Sequence, residues 1–114
     1  MSSEAFSTAD RALRVQRRAL RKELTEFLDD TASLSKLSRE DFTKKKEYFE
    51  GLWKEVVSST EGCINLIDDG DDDEGLIAEG LNECLEGVRY LMDRLNIIEG
   101  DVEKRLAAVK IRKV

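Results

Sequence analysis

The chain has 114 residues, 40% of them apolar and 39% charged, with a formal net charge of −6 and neither proline nor histidine. That length suits one compact domain, and the excess of acid argues against a global pull toward nucleic acid or an anionic membrane. No apolar run is long enough to span a bilayer, and the opening MSSEAFSTAD lacks the basic-then-apolar order of a signal peptide, so the expected compartment is the cytoplasm.

Large apolar residues recur at every seventh position as Phe6, Leu13, Leu20 and Phe27, which predicts a first helix over about 3–31 with one stripe turned to a partner. Ala5, Ala12 and Ala19 lie beside that stripe and would let a neighbour approach, while Gln16 and Glu23 dilute it. Residues 32–37, ASLSKL, read as a short connection in which Leu34 and Leu37 close the end of the core. Ser38 has the chemistry of an N-cap, with Glu40 and Asp41 complementing the positive helix end behind it. The second helix, about 39–67, carries the repeat Phe42, Phe49, Val56, Cys63, and Trp53 is its expected core anchor. Gly51 and Gly62 each weaken this helix by about 1 kcal/mol relative to alanine, as a tolerated loss or as marks of a close helix contact.

An acidic turn over 68–74 follows, in which Asp72 or Asp73 is the expected cap of a third helix over about 73–111. Two interleaved series run along it: Ile77, Cys84, Leu91, Ile98 and Leu81, Val88, Leu95, Val102, Val109. A face that wide touches two helices at once, with Leu91 as a core anchor, and Gly80 and Gly87 suggest that a neighbour comes close. The predicted fold class is therefore all-α, a single domain over 1–114 built as an up-down-up antiparallel three-helix bundle, coiled-coil-like, with the third helix longest. That helix is expected to outrun the other two, leaving Val102, Leu106 and Val109 without partners inside one chain and open to a second copy.

Chemistry finds little footing. Cys63 and Cys84 fall on apolar stripes and read as two buried free thiols, although a hairpin of the second and third helices would also bring them to similar heights. Two isolated cysteines without histidine do not make a closed zinc shell. Counted as a calcium loop from Asp69, the acidic turn puts Glu74 at the sixth place, where glycine is required, and Gly80 at the twelfth, where glutamate is required, so it reads as a solvated turn. No glycine-rich phosphate loop or nucleophile elbow occurs. The expectation is a non-enzyme with no catalytic residue, cofactor, metal or small-molecule substrate. One charge pattern stands out: Arg11, Arg14, Arg18 and Arg21 recur at steps of three and four as a basic ridge on the first helix, flanked by Arg17 and Lys22. Such a ridge suits RNA or lipid phosphates or an acidic partner helix. The plainer reading pairs it with acids of the third helix, and no aromatic side chain interleaves with it to stack on bases.

The order of features carries a resemblance. A basic opening, LRVQRRALRKELTEFLDD, precedes EYFEGLWKEVVSSTEGCINLI, and an acidic gap leads into ECLEGVRYLMDRLNIIEGDVEKRL. Over about residues 10–110 this resembles the N-terminal helical region of Gag polyproteins from BEL/Pao-type LTR retrotransposons. The resemblance implies self-association in support of particle assembly. The zinc knuckles that carry RNA binding in many Gag proteins are absent, so RNA packaging passes to no residue here. The leading functional expectation is a helical interaction and assembly module that binds protein, as a homo-oligomer. The alternatives are an adaptor that meets RNA or an anionic membrane through the arginine ridge, and a spectrin-like structural spacer.

Overall fold

The computed structural model is all-helical among the residues it describes, 2–67 and 75–112, with side chains described from 4 to 105 within those bounds. The helices are α1 (Ser2–Asp29), α2 (Thr31–Lys36), α3 (Arg39–Asn65) and α4 (Leu76–Arg112). The three long helices that the heptads predict are α1, α3 and α4, and each packs on the other two. The expected connection at 32–37 instead folds as α2, against α1.

Local chemistry sets the boundaries. Asp30 ends α1 and starts α2, its side chain accepting a hydrogen bond from the Ser33 N–H at 3.2 Å. Hydrogen bonding from Ser33, its side chain first and its backbone N–H second, favours the charged carboxylate and holds the Asp30 carboxyl below its ordinary value. Ser38 caps α3 as expected, its hydroxyl accepting from the Asp41 N–H at 3.1 Å, with Glu40 and Asp41 in the first turn. Before α4 stands Gly75 at φ +69°, a left-handed conformation that only glycine adopts without strain. Its carbonyl accepts the Glu79 N–H at 2.9 Å and opens the helix. The caps expected at Asp72 and Asp73 lie outside the described residues.

The core is a single column. Leu13, Leu20, Leu24 and Leu28 from α1 meet Phe42, Phe49, Val56 and Cys63 from α3 and Leu81, Val88, Leu91, Met92, Leu95 and Val102 from α4. Each fully buried leucine contributes about 2 kcal/mol relative to exposure. Phe27 lies against both Phe42 and Phe49, with ring centroids 6.2 and 5.3 Å apart. Thr60 is the one buried polar side chain among the described residues, and its hydroxyl is satisfied by donating to the Val56 carbonyl at 2.7 Å. Two polar bridges tie α1 to α3 where the heptad is diluted: Ser59 Oγ donates to Gln16 Oε1 and the Tyr48 hydroxyl to Glu23 Oε2, both at 2.8 Å.

Several expectations need correction. Trp53 is only half-buried and packs on the edge of the core, so the fully buried Leu95 and Val56 anchor it instead. Leu91 is buried at 8% exposure. Cys63 is buried but Cys84 is exposed, and both thiols are free. Ala5, Ala12 and Ala19 are exposed and bring no helix close. A Cβ added at Gly51, Gly62, Gly80 or Gly87 would meet nothing within 4 Å, so none of these glycines marks a tight contact.

The molecule is a rod of 67 × 21 × 18 Å with a radius of gyration of 18.5 Å, against about 13 Å for a compact domain of this length. The 37 residues of α4 make it the longest element, about 55 Å at the usual rise. Its far end is held by an arginine the sequence did not flag. Arg105 Nη1 donates to the carbonyls of Leu34 at 3.2 Å and Ser35 at 2.7 Å, and Nη2 donates to Leu37 at 3.0 Å. These carbonyls close the end of α2, where that of Leu34 also accepts the Leu37 N–H and a cation complements the helix dipole.

Candidate interaction surface

Three surface features compete as a functional site. The expected overhang of the third helix is the first, and Val102 does not belong to it. Val102 is 6% exposed and part of the core of its own chain, and one turn further on Arg105 binds the carbonyls at the end of α2. The side chains of Leu106 and Val109 lie outside the described residues. Ion pairs reinforce the same end of α4: Arg39 binds Glu103 at 3.0 Å and Lys46 binds Glu99 at 2.7 Å. The hydrogen bond to Glu99 is the main reason the Lys46 ammonium sits above its ordinary pKa, against an opposing effect of burial.

The second is an open groove of about 780 Å³ between α1 and α3, floored by Phe27, Leu37 and Phe49 and rimmed by Glu23, Glu26, Asp30, Asp41, Lys44 and Lys45. Its carboxylates are exposed. The Tyr48 hydroxyl on its wall is raised because it donates to Glu23. An acid or base needs a desolvated group matched to its task, and no rim carboxylate here is buried. No group of three or more His, Cys, Asp or Glu that could hold a metal occurs among the described residues, and no helix is long and apolar enough to cross a membrane.

The third is the basic face of α1. Residues 11–22 contain Arg11, Arg14, Arg17, Arg18, Arg21 and Lys22 and no acid. Helical spacing places Arg11, Arg14, Arg18 and Arg21 on the outer face, and all four are exposed. Arg14 pairs with Asp10 one turn earlier at 3.0 Å while its own side chain stays 66% exposed. Among the described residues, no ion pair reaches Arg11, Arg18, Arg21 or Lys22. The expected neutralisation by acids of the third helix does not occur there, and Glu86, at the level of the ridge, pairs with Arg89 on its own helix. Arg14, Arg17, Arg18 and Arg21 line a shallow hollow of about 290 Å³. The Arg17 Nη1 atom is buried without a hydrogen-bond partner among the described residues. Cys63 feels the inner side of this cluster: burial pushes its thiol up, Asp10 adds to that, and Arg17 opposes it. Val15, at 64% exposure, is the one large apolar side chain that protrudes among these arginines.

Like charges held this close repel one another and raise the local positive potential, which an anionic partner relieves. Of the three features, this one combines uncompensated charge with a continuous, rigid helical scaffold. The ridge itself was legible in sequence, but its lack of partners was not, since pairing depends on how each helix is rotated in the assembly. No family model, no curated protein and no solved structure matches the chain.

Proposed function

We propose that this chain is a non-catalytic interaction module, an up-down-up three-helix bundle that presents the arginine face of α1 to an acidic protein surface. The direction of the helices is supported by the order of their cross-links. Gln16–Ser59 and Glu23–Tyr48 fall in reverse order along α1 and α3, as do Arg39–Glu103 and Lys46–Glu99 along α3 and α4. The observation that carries the function is the set of arginines without ion partners at 11, 18 and 21. A protein partner is preferred to RNA because only Val15, and no aromatic ring, protrudes among them.

The test is charge reversal at Arg11, Arg14, Arg18 and Arg21, all to glutamate. The native chain is expected to bind a labelled helical peptide of glutamate and alanine at low salt and to lose it steeply as salt rises, and the variant to lose it while keeping its helix content. Peptide binding that survives the reversal would overturn the proposal. So would preference for single-stranded RNA or anionic vesicles over the peptide, which would move the module to the phosphate-binding alternative. Descent from a BEL/Pao-type Gag is proposed on the resemblance of segment order alone, and a capsid-like domain encoded directly after Val114 would support it. A spacer role would instead require tandem copies of this unit in one polypeptide.

A further inference from the structure

We infer that the acidic surface met by the arginine face is α4 of a second copy of this chain, so that two copies pair about a two-fold axis running along the helices. The inference rests on the contact face and helix directions proposed above, and it adds the identity of the partner.

It starts from matched spacing. Asp29 of α1 and Arg94 of α4 pair at 3.9 Å and set the relative height of the two helices. Arg14, Arg18 and Arg21 precede Asp29 by the same intervals at which Glu79, Glu83 and Glu86 precede Arg94. In parallel helices with a common rise, the three arginines and three glutamates stand at equal heights. All six are exposed. Yet no arginine of one set lies within 4.0 Å of a glutamate of the other, and Glu79 and Glu83 have no ion pair among the described residues. At this level Cys84 is exposed although the heptad places it inward, and a Cβ on Gly80 or Gly87 would meet nothing within 4 Å.

A positive lip on α1 and a negative lip on α4, side by side at one height, make a self-complementary surface. A two-fold rotation about an axis parallel to the seam lays each positive lip on the other copy's negative lip, with height preserved, and the contact closes as an isologous dimer rather than continuing as a filament. The same rotation sets the protruding Val15 of one copy against Gly80 of the other, whose missing side chain leaves room for it. A phosphate surface fits less well, because it would approach the arginines beside Glu79 and Glu83 and be repelled by them.

Sedimentation equilibrium of the full chain at low salt tests this, with two triple variants, R14E/R18E/R21E and E79R/E83R/E86R. The native chain is expected to dimerise, with affinity falling by about tenfold or more as salt rises from about 50 mM to about 500 mM. Each variant alone is expected to be monomeric, and an equal mixture of the two is expected to form a heterodimer, since both lips are then complementary again. Circular dichroism checks that the helices persist. Should a reversal unfold the chain, the glutamine variants of the same residues replace it, with weakened rather than abolished pairing expected. A mixture that stays monomeric, or a native dimer indifferent to both reversals, would overturn the inference. A native monomer that still captures the glutamate–alanine peptide would overturn the pairing while leaving the module standing. A native monomer that captures nothing would remove both.

Discussion

Replacing Arg105 with alanine probes whether the end of α4 is held within its own chain. The guanidinium donates three hydrogen bonds to the carbonyls that end α2. A charged donor contributes about 1.5–3 kcal/mol to a well-sheltered bond. The bonds to Leu34 and Leu37 are part-buried and the bond to Ser35 is exposed. After discounting for solvent, the first two contribute about 1 kcal/mol each and the third little. The expected loss is therefore about 2 kcal/mol, or about 8 °C in melting temperature at about 4 °C per kcal/mol for a domain of this length. Urea denaturation followed by circular dichroism measures it, with the denaturant slope unchanged if only this contact is lost. Arg105→Lys is expected to recover about half, because an ammonium cannot span the carbonyls with a planar fork. A loss below about 0.5 kcal/mol, the range of an ordinary exposed ion pair, would mean that Arg105 exchanges freely with water and that Leu34 alone seats α2.

Gly62→Ala and Gly51→Ala are each expected to stabilise the chain by about 0.5–1 kcal/mol in the same denaturation assay, since alanine restricts the unfolded chain and a Cβ at either site enters open space; destabilisation would place a neighbour there. At alkaline pH, Lys46 and Tyr48 act in one direction. Both have folded pKa values raised above the ordinary 10.5 and 10.0 of these side chains, so the folded chain holds these protons more tightly, and the stability they contribute is full below those values and lost as pH rises through the folded ones. Lys46→Met is expected to flatten the fall in stability above about pH 10, and an unchanged alkaline limb would discount the Glu99 bond.

The heptads made the core legible. Leu13, Leu20, Phe42, Phe49, Val56, Cys63, Leu81, Val88, Leu95 and Val102 are all buried where the repeat places them. Periodicity marks a stripe, however, and does not say how far along it a partner reaches. Cys84 is exposed and Ile77 is 39% exposed although Leu81 and Val88 at the same level are buried. Trp53 shows the same limit across the helix: a central place along α3 is not a central place in the bundle. At the end of α4 the repeat does not show that Val102 is buried in its own chain, because residues 32–37 read as a plain connection and one arginine reaching backbone carbonyls leaves no repeat to find. The basic face was legible as a set of residues, since α-helical spacing alone puts Arg11, Arg14, Arg18 and Arg21 together. Its uncompensated charge depends on where the acids of α4 at the same level stand around the bundle, which no local pattern encodes; Glu86, for one, pairs with Arg89 on its own helix.

Backbone amide chemical shifts followed on dilution at low salt test most directly whether the contact surface is the arginine face of α1. Residues 11–22 are expected to move with concentration, together with the stretch of α4 around Glu79 to Glu86, while the end of α4 beyond Val102 stays still. Shifts that gather over 102–112 and leave 11–22 unmoved would contradict the account and return the contact to the helix end.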